Sequence, residues 1–172
     1  LVRSRGLGDV YKRQAQGDVA SFELLKREAA KGGVTILSER LSRPDVYALV
    51  DACDAYVSLH RSEGYGLSLA EAMGLGKPTI GTGYSGNLDF MDDTTAMLVG
   101  YRKVAIERDV GPYLKGQVWT EPDVNDAARC MRWVYDHPVE ARAMGERARE
   151  HITRVTSLEA YGERIRRRLS EI

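Results

Sequence analysis

The stretch SLHRSEGYGLSLAEAMGLGKPTIGTGYSGNLD, residues 58–89, contains a glycine-rich turn that runs directly into a helix-forming segment. Gly64 and Gly66 lack a Cβ, so the backbone on either side of Tyr65 can approach a ligand closely and turn its N–H groups toward it. The segment that follows, predicted to be helical from about Leu67 to Leu75, adds the positive end of its dipole and its unpaired N–H groups. This pattern predicts a phosphate-binding turn.

Two glutamates accompany the turn, with Glu63 immediately before it and Glu71 inside the predicted helix. A carboxylate placed directly beside a bound phosphate would be repelled by it. These side chains are better suited to accept hydrogen bonds from hydroxyl groups that flank the phosphate. The residues therefore predict a phosphorylated, polyhydroxylated ligand, and a sugar nucleotide carries hydroxyls on both sides of its diphosphate.

Two other interpretations explain the turn less well. As a dinucleotide fingerprint, Gly64-x-Gly66 lacks the third glycine because Leu69 occupies its position, so an NAD site is poorly supported. The interpretation without a ligand is a plain helix N-terminus, with an exposed Glu63 and a solvated Glu71.

The stretch resembles the retaining glycosyltransferases of family 4, whose GT-B fold has two Rossmann-like halves, the C-terminal one holding the sugar nucleotide. The motif of that family, two glutamates separated by seven residues, is present as Glu63 and Glu71. The resemblance extends from about residue 18 to 137. The matching segments look like those of the family branch that builds surface polysaccharides. Three further segments carry it: Gly76-Lys77-Pro78, CDAYVS at residues 53–58, and WTEPD at residues 119–123.

The resemblance implies a role for each residue of the site. Glu63 would be catalytic and bind hydroxyls of the transferred sugar, Glu71 would bind the nucleotide ribose, and the nucleobase would lie against the backbone near Ser38. The other residues expected to bind the donor are Ser62, Gly64, Tyr65, Gly66, Leu67, Ser85, Gly86 and Asn87.

Three polar residues in this stretch have alternative interpretations. Ser62 could donate to a phosphate oxygen or bond its own backbone, and the sequence favours neither. His60 lies within reach of a ligand, but the resemblance places the catalytic histidine of related enzymes in the N-terminal half, so we expect His60 to stabilise the loop. Asp89 stands where the family often has Glu, which leaves the role of Asp89 open.

Outside this stretch the chain alternates between helix and strand patterns. Helices are predicted at residues 18–31, 42–53, 67–75, 123–136 and from 138 to the C-terminus, and strands at 34–37, 55–59, 79–81 and 96–99. Such alternation predicts an α/β fold with a Rossmann-like parallel sheet and helices on both faces. With four parallel strands it would be an incomplete C-terminal half of a GT-B glycosyltransferase.

The first residues do not fit this pattern. Residues 4–14, SRGLGDVYKRQ, resemble a translated sequencing adapter, so we assign residues 1–14 as a non-native segment and 15–172 as a truncated sugar-nucleotide-binding domain. In the family two strands precede Val34, and the first carries an Arg and a Lys that neutralise the diphosphate. Without them, and without the N-terminal half that holds the acceptor, the fragment is expected to be inactive by itself.

Composition excludes several classes of protein. The 172 residues are 43% hydrophobic, enough for one domain with a core. Residues 1–14 hold four basic and one acidic residue, so the rest has 21 basic and 24 acidic residues and a net charge of −3. That charge argues against nucleic acid as a partner. Cys53 and Cys130 lack metal or redox spacing and are expected to be core residues in a reducing compartment.

No apolar run approaches the ~20 residues of a membrane span and no signal-peptide pattern is visible, so a cytoplasmic location is expected. Four arginines on the last predicted helix, Arg164, Arg166, Arg167 and Arg168, could contact anionic lipid at the inner face of a membrane. A solvated basic helix end, favoured by the helix dipole, is the preferred interpretation.

The resemblance implies transfer of a hexose from a nucleoside-diphosphate sugar to a glycan or lipid-linked acceptor, with retention of anomeric configuration. It implies no cofactor and no metal, and the sequence shows neither an Asp-rich metal motif nor an obvious nucleophile for a double displacement. The alternative is a sugar-nucleotide-binding module, or a phosphorylase-like relative, without transferase activity.

Overall fold

The computed structural model describes residues 9–12, 19–110 and 113–171. The chain divides into two compact units, residues 1–57 and residues 58–172, and each is described by itself.

The first unit contains a two-stranded parallel sheet and two helices. Strand β1 (Asp9–Lys12) pairs in parallel with β2 (Val34–Leu37), and helix α1 (Val19–Lys31) connects them. Gly33 has a positive φ of 68°, a conformation that favours glycine and that turns the chain from α1 into β2. Asp18, where the sequence predicts this helix to begin, lies outside the described residues.

Helix α2 (Arg43–Ala52) begins as its sequence predicts. The Ser42 hydroxyl accepts a hydrogen bond from the Asp45 N–H, and Pro44 occupies the first turn, where its missing N–H has no cost.

Strand β1 lies inside the adapter-like segment that was predicted to fall outside the fold. The prediction of four parallel strands was therefore wrong, because β1 adds a fifth beside β2. β-Branched Val10 and aromatic Tyr11 favour extended backbone, which is consistent with the pairing. The non-native origin of residues 1–14 stays a prediction.

Strand β3 (Tyr56–Ser58) leads the chain into the second unit. Helix α3 (Leu67–Gly74) follows, then β4 (Thr79–Thr82) and β5 (Met97–Val99), with the hydrogen-bonded order β3-β4-β5 and β4 parallel to β5. All four residues of β4 are buried, as expected of a central strand of a parallel sheet. The predicted α/β class with a parallel sheet is confirmed.

An antiparallel hairpin that the sequence did not predict follows the sheet. It consists of β6 (Tyr101–Ala105) and β7 (Val118–Pro122). Four of the five residues of β6 are exposed, so the segment lacks the apolar alternation that identifies a half-buried strand.

Three helices complete the second unit: α4 (Val124–Asp136), α5 (Pro138–Val155) and α6 (Leu158–Ser170). The Asp123 carboxylate caps α4 by accepting from the N–H groups of Asn125 and Asp126. One continuous helix was predicted from Pro138 onward, and this was wrong. Ser157 accepts from the Ala160 N–H and so starts a new helix.

The core of the second unit lies between the sheet and its helices. Leu69 and Met73 of α3, Ile80 of β4 and Val99 of β5 are fully buried. The predicted burial of both cysteines is confirmed: Cys130 lies in this core, and Cys53 is buried in the first unit. Burial raises the pKa of the Cys130 thiol.

No helix among the described residues is both long and apolar enough to cross a membrane.

Candidate functional site

The predicted glycine turn lies between β3 and α3. Gly66 is the residue before α3 and has a φ of 90°, in the left-handed region that favours glycine. A Cβ added to Gly66 would lie 3.1 Å from a Leu69 methyl carbon and 3.3 Å from the Asn87 Cβ. Gly64 is different, since an added Cβ would meet nothing within 4 Å. The fold therefore requires glycine at position 66 for both conformation and space.

The N-cap residue of helix α3 is Gly66, which has no side chain to cap the first N–H groups of the helix. The N–H groups of an uncapped first turn can bind an anion. Leu67, the first residue of α3, is exposed. The arrangement supports the predicted anion-binding turn.

A second turn, which ends in a short 3-10 helix (Gly86–Asp89), is hydrogen-bonded to the first. The Glu63 N–H donates to Ser85 Oγ at 2.8 Å, and the Gly86 N–H donates to the Glu63 carbonyl at 3.1 Å. Ser85 has a positive φ of 76°, which is uncommon for a residue with a side chain and marks local strain. The structure thus brings Glu63, Gly64, Ser85 and Gly86 together.

Gly86 sits directly against the first turn. A Cβ added there would lie 2.1 Å from the Gly64 carbonyl oxygen and 2.9 Å from the Tyr65 nitrogen, far inside contact distance. The two turns can lie this close only because position 86 has no side chain.

Asn87 and His60 hold the second turn from within the protein. Asn87 is buried, its amide nitrogen donates to the Thr82 carbonyl at 3.0 Å, and its Oδ1 lies 3.0 Å from His60 Nε2. His60 Nε2 also lies 3.1 Å from the Tyr84 carbonyl. Both of these partners are acceptors, so we assign the proton to Nε2. His60 has the expected loop-stabilising position, and the Asn87 side chain has a supporting role that the sequence did not predict.

The two glutamates occupy different surroundings. Glu63 is half-buried between the turns, and Glu71 is half-buried on α3, four residues after Leu67 and hence on the same side of the helix. Ser62 is exposed beside Glu63. Ser38 belongs to the first unit, where it is exposed just after β2.

Tyr65 carries a clear electrostatic perturbation in the turn. Its ring centroid lies 4.9 Å from that of Phe90. Burial, followed by the influence of the Tyr161 phenol, raises the pKa of Tyr65 to about 12. Like an ordinary tyrosine, Tyr65 is protonated at neutral pH.

The hairpin fixes the chain just before Glu63. Thr120 of β7 donates to the Arg61 carbonyl from its N–H at 3.1 Å and from its hydroxyl at 2.6 Å. The Arg61 side chain pairs with Glu121 and lies 4.6 Å over the Trp119 ring. The WTEPD segment, residues 119–123, therefore holds the chain next to the turn, a role that the sequence did not predict.

Among the described residues, no three or more His, Cys, Asp or Glu side chains lie close enough together to hold a metal ion. The prediction that no metal takes part stays a prediction.

Residues 15–151 match a protein family described as glycosyl transferases group 1. A comparison with curated protein sequences gives no match.

Solved structures resemble the chain in fold. HepE of Anabaena, in complex with UDP and glucose, has a TM-score of 0.69 and 16% identity over 95% of this chain and 40% of its own. Sucrose-phosphate synthase of Thermosynechococcus elongatus has a TM-score of 0.66 and 19% identity over 95% and 39%. The catalytic domain of cholesterol-α-glucosyltransferase of Helicobacter pylori has a TM-score of 0.60 and 15% identity over 86% and 79%.

At these identities the likeness concerns the fold alone, and it agrees with the predicted C-terminal half of a GT-B protein. The chain spans about 40% of the length of HepE.

Proposed function

The chain belongs to the group 1 glycosyl transferases, and from that membership we propose that it binds the nucleoside-diphosphate sugar of a hexosyl transfer. The observation that carries the proposal is a pair of interlocked turns, one at Gly64–Gly66 and one at Ser85–Asn87. Gly66 directly precedes helix α3, which has no side-chain cap, and Gly86 packs on Gly64. This geometry offers backbone N–H groups to a diphosphate and keeps side chains away from it. HepE, with a similar fold, was solved with UDP and with UDP-glucose, which makes UDP the first ligand to test.

Each site residue has a proposed role. Glu71 accepts from the ribose hydroxyls, and Glu63 accepts from hydroxyls of the transferred sugar as the catalytic carboxylate. Ser38 lies near the nucleobase. The diphosphate is bound by Ser62 and by the backbone at Gly64, Tyr65, Gly66 and Leu67, and the sugar by Ser85, Gly86 and the backbone at Asn87.

The proposed transfer retains anomeric configuration, as in family 4, and uses no metal. The departing diphosphate gains negative charge as the anomeric bond breaks, and fixed N–H groups at the α3 terminus stabilise that charge. The acceptor is a glycan or a lipid-linked acceptor in the synthesis of a surface polysaccharide, held by an N-terminal half. We place the reaction in the cytoplasm or at the inner face of the membrane.

Calorimetric titration of the 172-residue chain with UDP tests the binding step. Saturable binding with one site per chain is the expected result. Absence of binding to UDP, GDP and ADP alike would contradict the proposal.

Glu71 and Glu63 are expected to have separable effects. Glu71→Ala should weaken UDP binding by about 1 to 3 kcal/mol, the range for a lost charged hydrogen bond, whereas Glu63→Gln should leave UDP affinity nearly unchanged because UDP lacks the sugar. In a longer protein that contains the N-terminal half, Glu63→Gln should chiefly lower kcat and Glu71→Ala should chiefly raise the donor KM.

A suitable control for this pair is Glu107→Ala, at an exposed position after β6. Equal and small effects of both substitutions, indistinguishable from the control, would refute the assigned roles.

Gly66→Val should abolish most UDP binding. A β-branched residue at a φ of 90° is strained, and its Cβ would crowd Leu69 and Asn87, so the turn must shift away from its binding geometry. We expect a loss of affinity above about tenfold, equivalent to ~1.4 kcal/mol. Gly74→Ala is the matched control, because an added Cβ at the end of α3 meets nothing within 4 Å. Unchanged affinity in Gly66→Val would place the phosphates elsewhere.

A further inference from the structure

Thr120 is a polar residue in a buried position of a hairpin that is otherwise exposed or half-exposed. Of the described strand residues in β6 and β7, Thr120 alone is buried, and it is 0% exposed. Burying a hydroxyl costs free energy unless it makes a hydrogen bond, and a valine would fill nearly the same volume without that cost. The Thr120 hydroxyl makes such a bond, which it donates to the Arg61 carbonyl at 2.6 Å.

Strand β7 holds Arg61 through its backbone and through its side chain. The backbone N–H of Thr120 also donates to the Arg61 carbonyl, at 3.1 Å, so both donors of Thr120 converge on one oxygen. The Arg61 side chain pairs with Glu121 at 3.0 Å, but these two side chains are 49% and 37% exposed. Because exposed ion pairs contribute little, the buried bonds of Thr120 do more than the ion pair to place the Arg61 backbone.

Glu63 lies two residues after Arg61, and its own backbone is held by the second turn. The Glu63 N–H donates to Ser85 Oγ at 2.8 Å, and the Glu63 carbonyl accepts from the Gly86 N–H at 3.1 Å. Peptide units are planar, so the chain between the two held points can change only through a few backbone dihedrals around Ser62. The direction in which the Glu63 side chain leaves the backbone therefore depends on the Arg61 carbonyl as well as on the second turn.

The glycine turn after Glu63 has other supports. Gly64 packs against Gly86, and Gly66 leads into α3, whose buried face anchors that helix in the core. These contacts do not involve the hairpin. The backbone that is proposed to bind the diphosphate is therefore placed independently of Thr120, whereas Glu63 is attached to the hairpin on its upstream side.

We propose that Thr120 is a positioning residue for Glu63. Its buried hydrogen bonds to Arg61 set the direction of the Glu63 carboxylate, so the hairpin governs the contact with the transferred sugar and not the contact with the diphosphate. The proposal rests on the function proposed above, in which Glu63 accepts hydrogen bonds from hydroxyls of that sugar. The affinities for the sugar and for the diphosphate should therefore respond separately to a change at Thr120.

Thr120→Val in the 172-residue chain is the direct test, since it keeps the shape of the side chain and the N–H bond and removes only the hydroxyl. Hydrogen exchange of the Glu63 amide should accelerate about threefold or more, because the bond of this amide to Ser85 Oγ loses the support of the fixed Arg61 carbonyl. Thr120→Ser, which keeps a hydroxyl, should restore the exchange rate of the unmodified chain.

Calorimetric titration measures the effect on binding. It compares UDP with UDP-glucose and UDP-N-acetylglucosamine, or GDP with GDP-mannose and ADP with ADP-glucose where the chain prefers those bases. In Thr120→Val the Kd for the tightest-binding sugar nucleotide should rise about three- to tenfold, as expected for one lost hydrogen bond. The Kd for the nucleoside diphosphate should stay within about twofold, and Thr120→Ser should bind both as the unmodified chain does.

Thr79→Val is the matched control. Thr79 is also 0% exposed, and its hydroxyl also donates to a backbone carbonyl, that of Lys77 at 3.0 Å. It is the first residue of β4 and so lies at the opposite end of that strand from the second turn. Loss of this hydroxyl should change neither the exchange of the Glu63 amide nor the ratio of the two Kd values.

A double variant shows whether Thr120 acts through Glu63. Glu63→Gln combined with Thr120→Val should bind the sugar nucleotide no more weakly than Glu63→Gln alone. Additive losses would overturn the proposal. It would also be overturned by an equal rise in Kd for the nucleoside diphosphate and the sugar nucleotide, or by faster exchange with both Kd values unchanged.

The same measurements separate this proposal from the proposed function. If the unmodified chain binds no nucleoside diphosphate, the proposed function fails, and exchange of the Glu63 amide alone decides whether Thr120 positions this residue. If no sugar nucleotide differs in affinity from its nucleoside diphosphate, Glu63 makes no contact with the sugar, and this inference fails while the diphosphate site stands. Unchanged exchange in Thr120→Val overturns the inference in every case.

Discussion

Gly86→Ala is expected to eliminate measurable UDP binding, although the substitution adds a single methyl group. The new Cβ would lie 2.1 Å from the Gly64 oxygen, 2.6 Å from the Gly64 carbonyl carbon and 2.9 Å from the Tyr65 nitrogen. All three atoms are backbone, so no side chain can rotate away, and the two turns must separate. That separation breaks the hydrogen bond from the Gly86 N–H to the Glu63 carbonyl and displaces the proposed catalytic carboxylate.

Calorimetry with UDP, alongside a thermal unfolding curve, measures this effect. Gly83→Ala is the matched control, because Gly83 lies in the same connection between β4 and β5. Its added Cβ would have only ordinary contacts, at 3.4 Å from the Val99 oxygen and 3.5 Å from the Leu98 Cβ. The control should keep its affinity for UDP. If Gly86→Ala bound UDP as well as the control, the interlocked turns would not be the binding site.

Gly145→Ala should cause the largest loss of stability, by about 2 kcal/mol or more. Gly145 lies on α5 against the turn after α3, and an added Cβ would be 2.1 Å from the Gly76 oxygen and 3.0 Å from the Pro78 nitrogen. Overpacking typically costs about 1 to 3 kcal/mol, and rigid backbone neighbours place this position at the upper end. The gain of about 1 kcal/mol from replacing a helical glycine offsets only part of that cost.

Urea unfolding of Gly145→Ala and Gly162→Ala compares two substitutions that are expected to change the free energy of unfolding in opposite directions. Both glycines are helical, but an added Cβ at Gly162 would meet only the flexible end of Arg166, at 3.8 Å. Gly162→Ala should therefore be neutral or stabilising by up to about 1 kcal/mol. A Gly145→Ala variant with the same unfolding midpoint as Gly162→Ala would show that α5 can move away from Gly76 at little cost.

Local sequence signals predicted the elements that depend on local chemistry. Ser42 and Pro44 identified the start of α2, and the segment containing Ile80 was predicted as a strand, which the structure confirms as β4. Gly66 was correctly placed in a turn before a helix, because a left-handed residue there requires glycine. These features arise from residues that are close together in the sequence.

Features that depend on distant residues could not be predicted in this way. The hairpin is held by Thr120 against Arg61, across 59 residues, and its own strands lack an apolar pattern. The buried Asn87 and its partner His60 are 27 residues apart, so nothing local indicated that the Asn87 side chain faces inward. The start of α6 was missed for another reason: Ser157 was a local cap signal, but the helical pattern on both sides concealed it.

The burial of both thiols has a practical consequence for spectroscopy. Cys53 and Cys130 are the two cysteines of the chain and are only 3% and 2% exposed, so a maleimide reagent reaches neither readily in the native protein. A cysteine introduced at Leu158, which is 87% exposed at the start of α6, would then be the site of labelling. A fluorophore or nitroxide attached there would report whether the surroundings of this helix change on addition of UDP, with both native cysteines left in place.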